Sequence, residues 1–463
     1  MRLRFAVVAG IGAVVFAIPH AAEIDPRAWR LLAIFVATLA GIILRPLPMS
    51  AIALIGLAVS LGTRTLTIAE ALSGFSNSIS WLVVATFFLA AGFTKTGLGS
   101  RIAYALVALS GRSTLGLGYS LALTDLALAP AIASNTARAG GVIFPILQSI
   151  ARTILADDPV NGPRASAFLA LTAYQATVVT GAMFLTAMVA NPLVVQFAAN
   201  QGITISWATW ALAAVVPGLI SLAVVPLVVF RVCRPARTLT ADARTLAKTA
   251  LSDLGPMKSS ELIMAITSLC LLIAWIVGPS IALDTTAAAL IAIAVLLVAG
   301  VLAWDDLLRE KEAWNTFIWF SVIVMMAGFL GQLGLVGWFS RQTASAFQGI
   351  GWVTGFLGLS LVYFYTHYFF ASNTAHAGAM YAPFLGVALA LGAPPLLAAL
   401  VLAFFSNLCA CTTHYGTPPG PVLFGSGYVP LSTWWKAGAI ISVLHIIIWL
   451  TIGALWWRLL GLW

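Results

Sequence analysis

Charged side chains are scarce in this sequence, and their scarcity excludes a water-soluble fold. Only 8% of the 463 residues are Asp, Glu, Lys or Arg, while 61% are hydrophobic. Soluble domains carry roughly 25% charged residues, so a soluble chain of this composition would have too little polar surface to cover itself. The surplus apolar surface must face lipid, and the sequence therefore predicts an integral membrane protein.

Residues that usually carry out chemistry are scarce as well. The chain has five His and four Cys, and the cysteines show no spacing typical of a metal site. No His-x-x-x-His pair or nucleophile motif occurs, and carboxylates are almost absent from the apolar runs. A membrane-embedded enzyme that uses His367, His376 or His414 is therefore the least favoured function. We expect no catalytic residue, no resident metal and no cofactor.

The net charge of +9 comes from 23 Lys and Arg against 14 Asp and Glu. In a soluble protein this excess would suggest a nucleic-acid partner. In a membrane protein, Lys and Arg collect in cytoplasmic loops whatever the partner is. We therefore predict membrane lipid, and not nucleic acid, as the surrounding partner.

Long apolar runs divide the chain into membrane segments. A span needs about 20 apolar residues, and two broken apolar regions, 117–152 and 351–392, lie among the continuous runs. The predicted fold is an all-α polytopic membrane protein with about 11 transmembrane helices plus two re-entrant hairpins. The continuous runs are 5–20, 29–45, 49–62, 80–98, 165–200, 206–231, 260–279, 286–303, 315–336, 394–424 and 434–458.

The positions of Lys and Arg orient these segments. With a cytoplasmic N-terminus and broken regions that enter and leave on one side, 17 of the 23 Lys and Arg, including Arg112 and Arg237, lie inside and 5 outside. This bias predicts a cytoplasmic N-terminus and an external C-terminus. The expected location is a bacterial inner membrane. The run before Pro19 resembles a secretory signal. An uncleaved first span is favoured, because a polytopic protein can be targeted by its own first helix.

The two broken regions repeat one motif. Residues 133–140 read Ala-Ser-Asn-Thr-Ala-Arg-Ala-Gly and residues 371–378 read Ala-Ser-Asn-Thr-Ala-His-Ala-Gly, seven of eight positions matching at an offset of 238. One copy in each half is typical of secondary transporters. The topology brings the first copy in from the cytoplasm and the second from outside, so the repeat is predicted to be inverted. A shared helix-packing motif is the alternative, but Ser-Asn-Thr is too polar for packing alone.

Each Ser-Asn-Thr is predicted to form a turn between two half-helices near the middle of the bilayer. Ser, Asn and Thr cap helix N-termini, and a helix N-terminus offers free N–H groups and a positive dipole end to an anion. Asn amides can donate to a carboxylate, while hydroxyls can donate or coordinate a cation. Two facing tips would suit a molecule with two carboxylates. The expected contacts are Ser134, Asn135, Thr136, Ser372, Asn373 and Thr374.

Two further interruptions of apolar runs are candidates to face the tips. One lies within 165–200 and the other, residues 412–419, within 394–424. Where a helix is interrupted within the membrane, the free backbone N–H and C=O groups must bond to protein or water. A proline is favoured in the first turn of a new helix, because it has no N–H to satisfy there. A simple kink is the alternative for each. The residues expected to contact substrate here are Thr180, Gly181, Thr417 and Pro418, with His414 as a further candidate.

Arg138 and His376 occupy equivalent positions in the two copies of the motif. A charge deep in a membrane costs about 3 kcal/mol or more, so both are candidates to compensate a bound dianion in place of coupling cations. For His376 this requires a neighbouring carboxylate that keeps the imidazole protonated. The alternatives are a salt bridge of Arg138, for instance with Asp125, and a packed neutral imidazole for His376.

At these residues the sequence resembles the divalent anion/sodium symporter family. The paired Ser-Asn-Thr motifs carry the likeness, which covers nearly the whole chain. The stretches 134–142, 413–419, 424–428 and 434–436 are similar to its exchanger branch of 2-oxoglutarate/malate translocators and citrate/succinate or tartrate/succinate antiporters. The resemblance implies an elevator-type homodimer whose substrate contacts both tips and the Thr417–Pro418 segment. Sodium-coupled members have small uncharged residues at the two positions of Arg and His, so exchange without sodium is implied.

The expected function is sodium-independent antiport of di- or tricarboxylates such as malate, succinate, 2-oxoglutarate, tartrate or citrate. Sodium-coupled symport of the same anions is the alternative, with sodium as the bound ion. The predicted division is 1–113 as N-terminal scaffold helices, 114–231 as first transport elements, 232–259 as a basic cytoplasmic linker, 260–340 as second scaffold helices and 341–463 as second transport elements.

Overall fold

The fold comes from a computed structural model that describes residues 2–111, 113–235, 242–346, 349 and 351–463. Every regular element in these residues is helical. Two cations predicted to be cytoplasmic, Arg112 and Arg237, lie outside the described residues, as does part of the predicted basic linker.

The first half of the chain contains eleven α-helices in the described residues. Short 3₁₀ turns occur at Ser73–Ser76 and Leu185–Ala187, and a π-helix spans Ala137–Ile143. The α-helices are α1 (Arg2–Ala17), α2 (Pro26–Leu44), α3 (Met49–Gly62), α4 (Ile68–Leu72), α5 (Ser78–Thr96), α6 (Leu98–Ser110), α7 (Thr114–Leu128), α8 (Phe144–Asp157), α9 (Gly162–Met183), α10 (Ala190–Ala199) and α11 (Trp207–Cys233).

The second half is built in a similar order. Its 3₁₀ turns are Gly278–Ile281, Thr366–Phe369 and Cys409–Thr412, and a π-helix spans Trp449–Gly453. The α-helices are α12 (Asp242–Asp253), α13 (Ser259–Val277), α14 (Thr285–Val298), α15 (Trp304–Arg309), α16 (Lys311–Gln332), α17 (Leu335–Ala346), α18 (Trp352–Tyr365), α19 (Asn373–Ala390), α20 (Pro395–Leu408), α21 (Pro419–Gly425), α22 (Leu431–Ile448) and α23 (Ala454–Leu459).

Nine helical stretches within the described ranges are long and apolar enough to cross a membrane. Helices α3, α6, α7 and α14 are apolar but shorter. The predicted all-α polytopic membrane class is therefore confirmed. The nine stretches are Pro26–Leu44, Ser78–Thr96, Ala137–Asp157, Gly162–Met183, Trp207–Cys233, Ser259–Val277, Lys311–Gln332, Pro395–Thr412 and Leu431–Leu459.

Helices α4, α6, α12 and α17 were not predicted. Helix α6 follows α5 after Gly97, whose φ of 80° lies in the left-handed region that favours glycine, so the chain turns sharply and starts a second apolar helix. Helix α12 lies in the basic linker and packs against α6. Its Arg244 donates from Nε to the carbonyl of Ala108 at 2.8 Å, so part of the linker is ordered by the helices beside it.

Helices α9 and α20 form the centre of the molecule. Both are buried along almost their whole length, although a surface helix normally buries one stripe only. Helix α9 packs against α7, α8, α11 and α20, and α20 packs in turn against α18 and α19. The two sequence repeats therefore meet through α9 and α20, between the two hairpins.

Candidate functional site

The first hairpin turns at the predicted Ser-Asn-Thr motif. Helix α7 ends at Leu128, and the chain has no regular structure at 132–134 before helix resumes at Asn135. Ser134 Oγ accepts a hydrogen bond from the backbone N–H of Ala137 at 3.2 Å. This is the N-cap contact expected of a serine at a helix start, so the free N–H end of the new helix lies at the tip.

The second hairpin has the same construction 238 positions later. Ser372 is the N-cap of α19, and its Oγ accepts from the N–H of Ala375 at 3.5 Å. The predicted turn between two half-helices is therefore present in both copies. Ser134 is half-buried and Thr136 is exposed, whereas Ser372 and Asn373 are buried. The two tips are alike in local structure but differ in access.

The first of the two further interruptions does not lie where the sequence predicted it. Helix α9 continues through Thr180 and Gly181 and ends at Met183, and α10 begins at Ala190. The prediction of an interruption at Thr180–Gly181 is wrong by a few residues. A glycine in a helix interior costs only about 1 kcal/mol relative to Ala, and the packing around this fully buried helix outweighs that cost.

Gly181 instead marks the point where the two repeats meet. A Cβ on Gly181 would lie 3.1 Å from Asn407 Oδ1 and 3.3 Å from Asn135 Nδ2, so a side chain would displace its neighbours. Asn407 Nδ2 donates to Asn191 Oδ1 at 2.7 Å, and Asn191 Nδ2 donates to the carbonyl of Gly181 at 2.8 Å. Asn191 and Asn407 thus join the ends of α9 and α20 in a buried amide network. Asn135 of the first tip lies beside this network, with its Nδ2 donating to Met188 Sδ at 3.3 Å.

Asn373 brings the second tip to the same amide network. Its Nδ2 donates to the carbonyl oxygens of Ser406 at 3.0 Å and Asn407 at 3.3 Å. Asn373 Oδ1 and Asn407 Oδ1 are buried without a hydrogen-bond partner in the described part of the chain. Thr374 follows, half-buried, in the first turn of α19. Because buried polar atoms normally have partners, unpaired atoms here point to a ligand.

Sequence analysis missed Asn191 and Asn407. Each is an isolated amide in an apolar run, and both are almost completely buried. A buried amide must find hydrogen-bond partners, so a lone Asn in a predicted span was a usable signal. The chain positions did not reveal that the two amides pair with each other.

Arg138 is completely buried, and protein oxygens surround its guanidinium. Its Nη1 donates to the carbonyl oxygens of Ile132 at 2.6 Å and Ala187 at 2.7 Å. Its Nη2 donates to Asn135 Oδ1 at 2.8 Å, and its Nε forms a salt bridge with Asp125 Oδ1 at 3.1 Å. The guanidinium therefore attaches the loop of the first tip to the break that follows α9.

Asp125 balances the charge of Arg138 inside the protein. Both side chains are completely buried, and the second carboxylate oxygen of Asp125 accepts a hydrogen bond from Thr180 Oγ1. The pair carries no net charge, so Arg138 does not leave a fixed positive charge for a substrate. This is the salt bridge that the sequence analysis held as the alternative, and the charge-compensating role assigned to Arg138 is corrected accordingly.

His376 is also completely buried, but its neighbours are neutral. Its Nε2 lies 3.2 Å from Thr366 Oγ1, its Nδ1 lies 4.0 Å from Cys409 Sγ, and its ring centroid lies 4.5 Å from that of Tyr363. Among the described residues, no carboxylate forms an ion pair or hydrogen bond with His376. The condition set for a charged imidazole is not met there, and the packed neutral imidazole fits these surroundings.

The segment between α20 and α21 carries the remaining predicted residues. Helix α21 begins at Pro419, directly after Pro418, as expected for prolines in a first helical turn. Pro418 is exposed, and Thr417 Oγ1 is buried without a hydrogen-bond partner in the described residues. His414 is half-buried, with its ring centroid 4.5 Å from that of Phe424.

Contacts on both sides place this segment between the hairpins. The carbonyl of Gly416 accepts a hydrogen bond from His367 Nε2 at 3.0 Å, on the side of the second hairpin. On the side of the first hairpin, a Cβ on Gly140 would lie 3.9 Å from Val422 Cγ1 in α21. Thr417 therefore lies between elements of the two tips.

A cavity of about 670 Å³ lies at the first tip. Ser134 and Thr136 line it on one side, and Lys95 and Asp306 line it on the other. Lys95 Nζ lies 2.6 Å from Asp306 Oδ2, and the two side chains are 44% and 28% exposed. Ligand pockets typically enclose about 300–1,000 Å³, so a small molecule fits in this cavity next to the first tip. Its charged lining is mixed, with Lys95 and Arg309 beside Asp306, Glu310 and Glu312.

Relatives of known description match almost the whole chain. YflS of Bacillus subtilis (strain 168), to which malate transport has been attributed, is 51% identical over 456 residues, covering 98% of this chain and 95% of YflS. The chloroplastic dicarboxylate transporter 1 of Spinacia oleracea is 47% identical over 456 residues, covering 98% of this chain and 80% of that protein.

A solved structure supports the fold, and a family model supplies the membership. Neisseria gonorrhoeae MtrF, from a class of antimetabolite efflux pumps, matches with a TM-score of 0.58 at 12% identity, covering 98% of this chain and 97% of MtrF. The model of the sodium:sulfate symporter transmembrane region matches residues 2–463. The chain therefore belongs to this family of membrane transporters, the divalent anion/sodium symporters that its paired Ser-Asn-Thr motifs resemble.

Proposed function

We propose that this protein exchanges di- and tricarboxylates, such as malate, succinate, 2-oxoglutarate, tartrate or citrate, without sodium. The observation that carries the proposal is the buried amide network of Gly181, Asn191 and Asn407. Asn135 of the first capped tip lies beside it, and Asn373 of the second capped tip donates to the carbonyl of Asn407. The names of the two relatives support the substrate class, since malate and dicarboxylates are what they are said to transport.

Two helix N-termini that both lie beside the amide network favour an anion with two carboxylates. Each helix start carries the equivalent of roughly +0.5 charge together with free N–H groups. The hydroxyls of Ser134 and Thr136 line the cavity, and those of Thr413 and Thr417 are buried without partners in the described residues. Because hydroxyls donate to carboxylates, we assign these four side chains, together with the tip amides, to substrate binding.

The contacts of Arg138 support sodium independence at the first tip. Hard cations bind carbonyl, amide and carboxylate oxygens, and the guanidinium already donates to such oxygens of Ile132, Ala187 and Asn135. A guanidinium stays protonated at any accessible pH, and it cannot dissociate from the carrier. In this proposal Arg138 replaces the structural role of a coupling cation, while Asp125 balances its charge.

Obligate exchange follows from groups that a bound substrate satisfies. A buried donor without a partner costs about 1–3 kcal/mol, and the Thr413 and Thr417 hydroxyls are two such groups. The two helix N-termini at the tips add uncompensated positive dipole ends. A bound dicarboxylate pairs with both kinds of group, so the loaded carrier crosses the membrane more readily than the unloaded one.

Movement of the hairpins against a scaffold is the transport step in this proposal. The cavity at the first tip is lined both by hairpin residues and by α5 and α15 of the predicted scaffold, as a sliding boundary requires. The scaffold helices would form the homodimer. In this division the scaffold is 1–113 and 260–340, and the moving elements are 114–231 and 341–463.

We place the N-terminus in the cytoplasm and the C-terminus outside, with the protein in a bacterial inner membrane. Two ion pairs support the underlying topology, because each joins residues that it puts on one side of the membrane, and the excess of Lys and Arg on that side favours the cytoplasm. Lys95 pairs with Asp306 at 2.6 Å, and Arg101 pairs with Glu261 at 2.8 Å.

Counterflow in proteoliposomes tests the exchange proposal. Uptake of labelled succinate is expected only into vesicles loaded with a dicarboxylate, at equal rates in sodium and choline buffers. Thr417→Val should slow exchange by about tenfold or more, since it removes one hydrogen bond to a charged ligand. Thr412→Val is the matched control, because that hydroxyl already donates to the carbonyl of Cys409 at 2.9 Å. Equal rates in the two variants would contradict the site.

Sodium-coupled symport is the second candidate, and one observation favours it. Asn373 Oδ1 and Asn407 Oδ1 are buried without partners in the described residues, and amide oxygens are ligands that hard cations prefer. A cation held by these two atoms would leave the first tip unchanged. Sodium-driven uptake into vesicles without internal anion would establish symport and overturn exchange.

A further inference from the structure

Two histidines and a cysteine lie together beside the second tip. His367 belongs to the 3₁₀ turn before the tip, His376 to α19, and Cys409 to the 3₁₀ turn after α20. One nitrogen of each ring and the Sγ atom lie within 4.8 Å of one another, and all three side chains are buried. Their spacing along the chain matches no common metal motif, which is why the sequence predicted no metal.

His367 keeps one ring nitrogen free. Its Nε2 lies 3.0 Å from the carbonyl oxygen of Gly416, which can only accept a hydrogen bond, so the proton of the neutral ring is on Nε2. Its Nδ1 is buried without a hydrogen-bond partner in the described residues. A histidine that donates to a carbonyl through one nitrogen and presents the other as an electron pair has the arrangement of a metal ligand.

His376 is held in a similar way. Thr366 Oγ1 donates to the carbonyl of Tyr363 at 2.8 Å, so it accepts from His376 Nε2 at 3.2 Å. The proton of this ring is therefore also on Nε2, and the electron pair is on Nδ1. That Nδ1 lies 4.0 Å from Cys409 Sγ. Two imidazole rings and a thiol are thus gathered in one buried place.

An ion of the zinc class fits these ligands. Zn²⁺ binds histidine nitrogen at about 2.0–2.1 Å and cysteine sulfur at about 2.3 Å in tetrahedral sites, which places the nitrogen and sulfur about 3.6 Å apart. The 4.0 Å between His376 Nδ1 and Cys409 Sγ is within a few tenths of an ångström of that separation. Sodium and magnesium prefer oxygen ligands, so a site with two nitrogens and one sulfur disfavours them.

We propose that His367, His376 and Cys409 bind Zn²⁺ or a similar thiophilic divalent ion, and that the bound ion holds the second hairpin closed. On binding, the Cys409 thiol loses its proton to water, and the thiolate and two Nδ1 atoms coordinate the ion, with water in the fourth position. The ion ties together three segments on both sides of the tip. The closure rests on the proposed exchange function, whereas the binding does not.

Metal content of the purified full-length protein tests the binding. Chelator-treated protein is incubated with Zn²⁺ or Co²⁺ and desalted, and bound metal is measured per chain. Wild type and Cys411→Ser, which alters a buried thiol outside the cluster, should each bind one ion. Cys409→Ser and His367→Gln should lower the affinity by about 100-fold or more. Thiolate-to-cobalt charge-transfer absorption should appear in the first two proteins and be lost in Cys409→Ser.

Folding controls exclude misfolding as the cause of a lost metal ion. Cys409→Ala serves as a second variant, because a buried free cysteine behaves as a small apolar residue. Only variants with wild-type helical circular dichroism and a monodisperse elution profile are compared. Wild-type affinity in Cys409→Ser or Cys409→Ala would overturn the site. Loss of the ion in Cys411→Ser, or no stoichiometric binding to wild type, would also overturn it.

Succinate counterflow tests the closure of the hairpin. Succinate is used in place of citrate, which chelates divalent ions, and Zn²⁺ is added during turnover because all three ligands are buried. Exchange should slow by tenfold or more in wild type and Cys411→Ser and keep its metal-free rate in Cys409→Ser. Unchanged exchange at full metal occupancy would overturn the closure alone. Absence of exchange from every protein without metal would instead count against the proposed function.

Discussion

The two hairpins share their backbone and their caps but not their charge. In the first, Asp125 and Arg138 form a completely buried ion pair, and Thr180 donates to the same carboxylate. At the same offset of 238, the second hairpin has Tyr363 and His376, whose ring centroids lie 4.5 Å apart. An ionic contact in one repeat is thus replaced by an aromatic and neutral contact in the other.

The hydroxyl that bonds to each of these contacts also comes from a different residue type in the two repeats. Thr180 near the end of α9 bonds to Asp125, and Ser406 near the end of α20 lies 2.7 Å from Tyr363 Oη. Each hairpin is therefore attached to the end of its own central helix through a hydroxyl. The arrangement is kept while the chemistry changes, which teaches that the shape of the repeat does not depend on the charges.

The hairpins also differ in what they face. The first tip lines the cavity of about 670 Å³, whereas Ser372 and Asn373 of the second tip are 7% and 2% exposed. The buried Asp125–Arg138 ion pair therefore packs next to the accessible first tip. A neutral core with unpaired atoms, among them His367 Nδ1 and Asn373 Oδ1, lies behind the closed one. The two tips thus differ in both access and charge, and the following experiments test this difference.

Removing one charge of the first hairpin is expected to have the largest effect. Arg138→Met leaves Asp125 as an unpaired buried carboxylate, and breaking a buried ion pair in this way costs about 3–5 kcal/mol. His376→Phe removes a neutral ring from an aromatic setting and should cost less than about 1.5 kcal/mol. Thermal midpoints of the two purified variants measure the difference.

Restoring neutrality is the control for this prediction. The double variant of Arg138→Met and Asp125→Asn should be more stable than Arg138→Met alone, because no buried charge is left unpaired. Equal midpoints for Arg138→Met and His376→Phe would contradict the ionic and neutral characters assigned to the two hairpins.

The tip caps could be predicted from the sequence because a cap is a local contact. Ser134 and Ser372 each accept from an N–H three residues later, and such spacing is visible in one dimension. The salt bridge between Arg138 and Asp125 was predicted only as an alternative, because a separation of 13 positions along the chain does not determine whether the two side chains meet. The pairing of Asn191 with Asn407 depends on how α9 and α20 pack, which no local pattern encodes.

The next largest effect is expected from replacing the tip amides, because Asn135→Ala and Asn373→Ala should lower the free energy of unfolding by different amounts. Asn135→Ala leaves an N–H of the charged Arg138 guanidinium without its partner, whereas Asn373→Ala leaves neutral carbonyl oxygens, and an unsatisfied buried group costs more when it is charged. Asn135→Ala should therefore unfold at a lower temperature than Asn373→Ala, while both lose succinate counterflow. Asn161→Ala, in an exposed loop, is the control that should keep both properties. Wild-type exchange in either tip variant, at equal expression, would remove that Asn from the site.

Gly181 tests the place where the hairpins meet. In Gly181→Ala, the new Cβ would lie 3.1 Å from Asn407 Oδ1 and 3.3 Å from Asn135 Nδ2. Such overpacking costs about 1–3 kcal/mol, and it shifts both tips at once, so counterflow should fall by tenfold or more. Gly378→Ala is the matched control, since its nearest neighbours would be 3.8 Å away or more. Similar exchange in the two alanine variants would separate Gly181 from the binding site.

The smallest expected effect lies at the cavity of the accessible tip, in the Lys95–Asp306 ion pair. The hydrogen bond from Lys95 holds the pKa of Asp306 below its usual value, with the backbone N–H of Ala303 adding to the shift. A lowered carboxyl pKa stabilises the fold above the unfolded pKa of about 3.9 and loses that contribution as the pH falls through the folded value.

Both side chains are partly exposed, so Lys95→Met should cost only about 0.2–1 kcal/mol. The difference in thermal midpoint from wild type should be constant between about pH 5 and 8, shrink as the carboxyl becomes protonated, and shrink in high salt. A loss as large as that of Arg138→Met would mean that this exposed pair, and not the buried one, supports the first hairpin.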